Sequence, residues 1–449
     1  MLAFNAALSL VTGLLFGLVP ALRSTGPNLA STLKDEAGAA AGGRSRVRFR
    51  KALVIGQVTL SLLLLASAGL FIRSLRNLQL LSLGMSSEHV IAFNINPTLS
   101  GYTPVRTKLF NRLIAEKAGA APGITGVAFA NIGLLEGNEW DSSITIEGYE
   151  AKPGEQMNPY FNAVSPGYFK TMRIPLLQGR DFDDRDVGRE AADQSSSGFP
   201  PPYTVAIVNE SCAKHYFGDR SPVGHHIGFG IDPGTKTPIE IIGVVGDAKY
   251  TGVRDQIPRQ VFVPFLQNDF AGGSVLYVRA ADPGAALASI RRIVRDLDAT
   301  VPVYGLRTLD HQIELSLRND RIIATLSTAF AILATALAMI GLYGVMAYTV
   351  AQRTREIGVR VALGAAAGDV VWLVMREVLW LAGSGIVLGL SAVIAVSRFL
   401  QSQLYEIAPN DPLTMAGAAI TLFIVALLAG YVPARRGTRV NPVLALKYE

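Results

Sequence analysis

The sequence predicts a multi-pass α-helical membrane protein that carries a large α+β domain outside the cytoplasm. Half of the residues are hydrophobic, only 17% are charged, and the mean hydropathy is +0.33. The apolar residues form long runs near both ends, whereas the polar middle alternates strand-like with helix-like segments. Long apolar runs indicate membrane-spanning helices, because a helix satisfies its own backbone hydrogen bonds in lipid.

Five apolar runs approach or exceed the ~20 residues that a helix needs to cross a bilayer. The chain is therefore divided into a transmembrane helix (1–22), a basic cytoplasmic linker (23–51), a transmembrane helix and stalk (52–83), an outer domain (84–318), and a membrane domain (319–449) with helices at about 322–350, 378–397 and 413–433. The first run resembles a signal-peptide core, but no charged region precedes it, so a span is predicted.

The basic residues lie beside the spans and set the predicted orientation. Three segments are rich in arginine and lysine: the linker, the loop after the third span and the C-terminal tail. Basic residues accumulate in cytoplasmic loops, so these segments are predicted inside, with 84–318 and the N-terminus outside. Arg73 and Arg76 are exceptions on the outer side of the second span. The net charge of +6 follows from this topology, and no nucleic-acid partner is expected.

The outer domain mixes the periodicities of strands and helices. Helices are predicted in VRTKLFNRLIAEKAGA and GYFKTM, from Asn209 to Phe217 and from Pro283 to Leu297. Strands are predicted in HVIAFNINP, ITGVAFANI, SSITIEGY, TVAIVN, GHHIGFG, IEIIGVVG, QVFVPF, SVLYVRA and VPVYGL. This mixture indicates an α+β fold with two lobes, the second inserted at about 158–246.

Catalytic, metal-binding and redox signals are weak. The run GRDFDDRD holds four aspartates, but it lacks the glycine and glutamate of a calcium loop, so a solvated turn is favoured. The single cysteine, Cys212, is predicted to be a core residue. The sequence contains no G-x-x-x-x-G-K-[ST], G-x-S-x-G or H-E-x-x-H motif. We therefore predict no enzymatic activity, no metal and no directly bound cofactor.

The sharpest local signal is the segment QRTREIGVRVALGAAAGDVVWLVMREVLWL, which begins at Gln352. Its apolar residues and its charged residues fall on different helix faces. The apolar set is Ile357, Val361, Leu363, Val370, Val371, Val374 and Val378, and the charged set is Arg353, Arg355, Glu356, Arg360, Asp369, Arg376 and Glu377. Such a segment lies along a membrane surface or in the groove of a partner protein. A plain juxtamembrane helix and a partner-binding helix both fit.

The run RTREIGVRVALGA, placed between two spans, resembles the signature of the FtsX-like ABC permeases, the superfamily that includes MacB and the lipoprotein-releasing LolC and LolE. Three runs of the outer domain are similar to the MacB-type periplasmic core domain: VSPGYFKTMRIPLLQGRDF, VAIVNESCAKHYFGDRSPVGHHI and IEIIGVVGDAKYTGVR. The resemblance covers nearly the whole chain, and its motifs occur in the order typical of the family.

Two similar runs stand at opposite ends of the chain. VPALRSTGPNLASTLKDE begins at Val19, and VPARRGTRVNPVLALKYE begins at Val432. This repeat resembles the duplicated permeases of acidobacteria, in which two modules are fused. It implies that 1–22 is the closing span of a first module and that the remainder is the second module.

The resemblance implies a bacterial inner-membrane protein with its large domain in the periplasm. It also implies a separate cytoplasmic ABC ATPase that uses ATP, a second permease module or a homodimer, and a periplasmic or outer-membrane partner. The implied ATPase-coupling residues are Arg353, Arg355, Glu356, Ile357, Gly358, Arg360, Leu363 and Gly364. In this scheme the charged residues make polar contacts, Ile357 and Leu363 fill a groove of the ATPase, and the glycines allow close approach.

Three functions are compatible with these features. The first is a MacB-type permease subunit that converts ATP-driven motion of the ATPase into movement of the periplasmic domain, for export or extraction of a substrate. The second is an FtsX-like signal transmitter that controls a periplasmic partner such as a cell-wall hydrolase. The third is a nonfunctional remnant of a duplicated permease.

Overall fold

The computed structural model describes residues 39–187, 203–267, 273–363, 365–408 and 410–438, together with four isolated positions before residue 14. It does not describe the side chains of 39–47, Arg355, Val361, Ser397 and Ser402. The predicted span 1–22 and both copies of the repeat therefore fall wholly or mostly outside the described residues. The chain divides into two units, which we call the helix unit (1–70 with 325–449) and the sheet unit (71–324).

The described residues form alternating helices and strands. The helices are α1 (Ala39–Leu80), α2 (Pro104–Gly119), α3 (Tyr168–Met172), α4 (Asp184–Val187), α5 (Glu210–Phe217), α6 (Pro283–Leu297), α7 (Leu309–Ser316), α8 (Arg318–Gln352), α9 (Thr354–Ala362), α10 (Ala367–Leu400) and α11 (Pro412–Gly437). The strands are β1 (Val90–Ile95), β2 (Ile124–Ala130), β3 (Ile144–Ile146), β4 (Tyr160–Val164), β5 (Leu176–Gly179), β6 (Val205–Asn209), β7 (His226–Phe229), β8 (Ile239–Val245), β9 (Gln260–Pro264), β10 (Ser274–Ala280) and β11 (Val303–Thr308).

Four helices of the described chain are long and apolar enough to cross a membrane: α1 from Arg48 onward, α8, α10 and α11. They coincide with the second to fifth predicted spans. Each is longer than its apolar run, because helical hydrogen bonding continues into less apolar sequence beyond the run. The described part of the predicted linker, 39–51, belongs to α1.

Glycines let the membrane helices approach closely. A Cβ atom added at Gly385 or Gly389 of α10 would lie 2.6 Å from Val58 Cγ1 or 2.7 Å from Leu62 Cδ2, both on α1. Small residues at such crossings increase packing where lipid provides no hydrophobic driving force between helices. Two hydrogen bonds reinforce the packing of α1: Thr59 Oγ1 donates to the Gly385 carbonyl (3.1 Å) and Ser61 Oγ to the Ala334 carbonyl (2.9 Å).

The sheet unit contains one continuous mixed sheet. Its strand order is β11-β1-β10-β2-β4-β9-β6-β8-β7-β3, and β5 also pairs with β8. The pairs β4–β9 and β6–β8 are parallel, and the others are antiparallel. Strands β3 and β9 lie outside the predicted insertion 158–246, yet they pair with strands inside it. The exact division into two lobes stays a prediction.

Every strand and helix predicted in the outer domain is present, but several elements were missed. Strand β4 was missed because Asn162 interrupts its apolar pattern. The side-chain amide of Asn162 hydrogen-bonds to the backbone of Ile132. Its Oδ1 accepts from Ile132 N–H (3.1 Å), and its Nδ2 donates to the Ile132 carbonyl (3.0 Å). Strand β5 was missed because it is short and exposed. The predicted burial of Cys212 is confirmed.

A buried arginine ties the strand β10 to the segment that follows α1. Arg279 Nε donates to the Thr171 carbonyl (2.7 Å), one Nη donates to the Ser86 carbonyl (2.7 Å), and the other donates to the Glu88 carbonyl. Burial, with a smaller contribution from Arg173, lowers the pKa of the guanidinium. One side chain thus satisfies three carbonyl groups from two segments distant in sequence.

Arg279→Met is expected to destabilise the sheet unit by about 3 kcal/mol, because buried acceptors that lose their donor cost 1–3 kcal/mol each and are only partly additive. For a domain of this size the melting temperature would fall by about 6–12 °C. Thermal unfolding of the purified full chain, followed by circular dichroism, measures this change. Arg292→Met, at an exposed position of α6, is the control. Equal melting temperatures for Arg279→Met and Arg292→Met would contradict the stabilising role of the three hydrogen bonds of Arg279.

Three surface carboxylates of the sheet unit are expected to make its stability depend on pH under acidic conditions. The pKa of Glu155 is lowered to about 2, first by the Lys152 backbone N–H, then by the Tyr149 hydroxyl and by His215. Hydrogen bonds from Arg185 lower the pKa of Asp183 to about 2, and those from Thr300 and Tyr102 lower the pKa of Asp298 to about 2.

Because these pKa values are below those of the unfolded chain, the carboxylates stabilise the fold fully above about pH 4.5. They lose that contribution as the pH falls toward 2. We expect the melting temperature to decline mainly between pH 4.5 and 2, and to decline less in Glu155→Gln. A melting temperature that stays constant over this interval would contradict the prediction.

Candidate functional site

The short helix α9 occupies the connection between α8 and α10. Arg353 forms a turn between α8 and α9, and its carbonyl accepts from Ile357 N–H at 2.8 Å. After α9, Ala366 precedes α10, and the Asp369 carboxylate accepts from Ala366 N–H at 3.2 Å. The predicted coupling segment, 353–365, is therefore a nine-residue helix with a defined turn at each end.

One face of α9 is anchored in the helix unit. Ile357 is only 1% exposed and belongs to the same apolar cluster as Val350, Val374 and Ala434. Gly437 of α11 approaches this point so closely that a Cβ atom would lie 3.0 Å from Val350 Cγ1 and 4.0 Å from Ile357 Cδ1. The implied role of Ile357 in filling a groove of the ATPase therefore differs from its position in the structure. Its side chain packs inward and holds α9 in place.

The opposite face of α9 is exposed, and we call it the docking stripe. It consists of Glu356, Val359 and Arg360 of α9 and of Leu363, in the turn directly after the helix, at positions i, i+3, i+4 and i+7. Leu363 is 83% exposed. Glu356 and Arg360 form an ion pair at 2.6 Å, with both side chains about half exposed. The stripe thus presents two apolar side chains, Val359 and Leu363, beside a paired charge, an arrangement suited to a protein groove with a polar rim.

The other four predicted coupling residues have different outcomes. Arg353 is exposed at the turn, and Gly358 is buried on the anchored side of α9. The side chain of Arg355 lies outside the described residues, and so does Gly364. Their implied roles remain predictions.

A cluster of charged side chains near α9 was not predicted from the sequence. Glu377 of α10 is only 14% exposed, and its Oε1 lies 2.5 Å from Lys51 Nζ of α1. Its Oε2 lies 3.8 Å from an Arg353 Nη. The Lys51 contact is an ion pair and not a hydrogen bond, since the buried Glu377 Oε1 has no hydrogen-bond partner among the described residues. We call these three residues the charge clamp.

A signal for the clamp was present in the sequence. Glu377 follows Val374 by three residues and Val370 by seven, so helical periodicity places it on the buried face. Because Glu377 is charged, it was predicted to lie on the polar face. Lys51 lies more than 300 residues away in sequence, and nothing in the local pattern identifies it as the partner.

The family of the chain follows from its match to two family models. The model of the MacB-like periplasmic core domain matches residues 52–297, which is more than half of the chain. The chain belongs to the MacB-type, FtsX-like ABC permeases. The model of the FtsX-like permease C-terminal region matches residues 328–442, which include the docking stripe and the charge clamp residues Arg353 and Glu377 of this permease.

The permease is similar to several curated proteins. It is 24% identical over 330 residues to the uncharacterized ABC transporter permease YknZ of Bacillus subtilis, with 70% of this chain and 77% of YknZ covered. It is 28% identical over 325 residues to the macrolide export ATP-binding/permease protein MacB of Rhodospirillum rubrum, with 69% and 45% covered. The chain thus spans less than half the length of that MacB relative.

Among solved structures, the periplasmic region of MacB from Actinobacillus actinomycetemcomitans aligns with 55% of this chain and 98% of its own length, at 17% identity and a TM-score of 0.34.

The family membership determines the location of the site. The permease is a multi-pass protein of the bacterial inner membrane, and its sheet unit is the periplasmic domain. Because α8 runs from that domain through the membrane, its C-terminal end, the helix α9 and the start of α10 lie on the cytoplasmic side. Permeases of this type work with an ABC ATPase.

Proposed function

We propose that this permease converts ATP-driven motion of a separate cytoplasmic ATPase into movement of its periplasmic domain, and so exports or extracts a substrate. The ATPase binds and hydrolyses ATP, and the permease binds no cofactor directly. A second permease module or a second copy of the chain completes the membrane assembly. A periplasmic or outer-membrane partner acts with the periplasmic domain.

The docking stripe carries this proposal. A helix that only lies along a membrane would turn its apolar side chains toward lipid and its charges toward water. Helix α9 instead buries Ile357 in the protein, and Leu363, directly after it, is exposed beside the Glu356–Arg360 pair. Protein interfaces combine an apolar centre with a polar rim, and Leu363 beside the Glu356–Arg360 pair provides both.

The continuity of two helices supports the transmission step. Both α1 and α8 cross from the helix unit into the sheet unit without interruption, at 70/71 and at 324/325. A hydrogen-bonded helix resists compression, so displacement of its cytoplasmic end is carried along its length. The charge clamp joins the cytoplasmic start of α1 to the turn that follows α8. Force applied to α9 would therefore reach both helices.

A second candidate function is an FtsX-like transmitter that controls a periplasmic partner such as a cell-wall hydrolase. The match of residues 328–442 to the FtsX-like permease region favours it, because that region contains most of the coupling machinery. The two functions share the cytoplasmic step and differ in the outer partner.

Affinity purification of the full chain from native membranes, followed by ATPase assays and periplasmic cross-linking, tests the proposal. We expect a P-loop ATPase in a fixed ratio to the permease, with activity higher than that of the separated ATPase. A cross-linked outer-membrane export component supports the transport function, whereas a cross-linked hydrolase supports the transmitter. Recovery of the folded permease without any ATPase would contradict both.

A further inference from the structure

We propose that Trp372, Arg376 and Trp380 form a binding site for the headgroup of an anionic phospholipid in the cytoplasmic leaflet. We call these residues the tryptophan stripe. The proposal concerns the lipid-facing side of α10 and does not depend on which ATPase or substrate the permease uses.

The geometry of α10 places the three side chains together. They are spaced i, i+4 and i+8, so they follow one face of the helix over about 12 Å. Trp372 is 61% exposed and Trp380 is 75% exposed, and Arg376 between them is exposed as well. The opposite face holds Val374 and Val378, which are buried in the helix unit.

The length of α10 places the stripe at the membrane surface. The helix has 34 residues and is about 51 Å long, whereas the hydrocarbon core of a bilayer is about 30 Å thick. Its most apolar part was predicted at 378–397 from the sequence, so Trp372 and Arg376 lie in the cytoplasmic headgroup region and Trp380 lies just inside the hydrocarbon boundary. Tryptophan is enriched at this depth because its ring is apolar and its N–H group is polar.

The charge of Arg376 selects an anionic ligand. Among the residues that the structure describes, no carboxylate forms an ion pair with Arg376, whereas the adjacent Glu377 points inward and contacts Lys51. A planar guanidinium donates two parallel hydrogen bonds to a phosphate. With tryptophan rings on either side to contact the glycerol and upper acyl chains, the stripe matches a phospholipid better than a soluble anion.

Quenching by brominated lipids tests the site directly, because the chain has only three tryptophans. Trp140→Phe removes the one in the periplasmic domain, so fluorescence then reports Trp372 and Trp380 alone. The full chain carrying this change is reconstituted in mixed phosphatidylglycerol and phosphatidylcholine vesicles, with one lipid brominated at a time. We expect the anionic lipid to be preferred at the stripe about fivefold over its mole fraction, a preference typical of one basic residue near a membrane surface.

Arg376→Gln should reduce this preference to about one, and Arg376→Lys should retain most of it. Arg398→Gln changes an exposed arginine at the other end of the same helix and should leave the preference unchanged. Equal quenching by both lipids, or a preference that survives in Arg376→Gln, would overturn the proposal. Absence of quenching by either lipid would show that a protein surface covers the stripe, and would overturn it equally.

Discussion

Leu363→Asp is expected to abolish stimulation of the partner ATPase while the permease remains folded. The side chain is 83% exposed, so its replacement should change the free energy of unfolding by no more than about 0.5 kcal/mol. In a complex, however, the aspartate would lose about 2 kcal/mol of apolar burial and would place an unpaired charge in the groove of the ATPase. The dissociation constant should rise at least about a hundredfold.

The measurement is ATPase activity at increasing concentrations of ATPase, with the permease held in nanodiscs. Leu99→Asp is the matched control, because Leu99 is a similarly exposed leucine in the periplasmic domain. Glu356→Arg is expected to weaken binding more modestly, since it replaces the Glu356–Arg360 pair with repulsion. If Leu363→Asp and Leu99→Asp stimulate the ATPase equally, the docking stripe is not the ATPase-binding surface.

The membrane helices were predictable because lipid imposes a simple rule. Runs of apolar residues near the required length indicated four of the spans, and the structure has long apolar helices at all four places. The ends of these helices were not predictable in the same way. Outside the hydrocarbon core the sequence of α1 and α8 is no longer uniformly apolar, and helix continues there because neighbouring helices and strands support it.

The coupling segment shows a different limit. The sequence indicated an amphipathic helix, and that is what α9 is. Ile357 and Leu363 were both assigned to the partner-facing side because both are apolar, although six residues separate them. On a helix, side chains six residues apart point in directions about 120° apart, so Ile357 and Leu363 do not face the same groove. Only the position of α11, with Gly437 close to Ile357, decides which of the two is buried.

The charge clamp was unpredictable for a further reason. A single glutamate on an otherwise apolar helix face needs a partner, and periodicity alone indicates that need at Glu377. The partner Lys51 is on another helix, and its identity depends on helix packing that a single sequence does not reveal. The same reasoning applies to Arg279, whose three acceptors are backbone groups at Ser86, Glu88 and Thr171.

Together these contacts suggest how a small displacement of α9 would be shared between two helices. Ile357 fixes α9 to the apolar core of the helix unit, so α9 moves together with the helices of that unit. The clamp links the turn at Arg353 to α10 and α10 to α1 by charge contacts. The clamp residues are held by electrostatic attraction at the cytoplasmic surface, where loss of one charge changes the connection without removing apolar packing.

Glu377→Lys is therefore expected to uncouple the permease and to destabilise it. Three cations would then meet at one partly buried point, where a single carboxylate now neutralises two of them. Removing one member of a fully buried ion pair costs 3–5 kcal/mol, and the partial exposure of Lys51 reduces this to about 2 kcal/mol here. We expect a lower melting temperature in detergent and a loss of most ATPase stimulation.

The charge-reversed double variant Lys51→Glu/Glu377→Lys separates the clamp from a general packing effect. It restores the attraction between α1 and α10 with the signs exchanged, so it should recover at least half of the lost stimulation and stability. Arg376→Glu, which reverses a charge on the exposed face of the same helix, should leave the melting temperature close to that of the parent. If the double variant is as defective as Glu377→Lys, attraction between Lys51 and Glu377 does not connect the two helices.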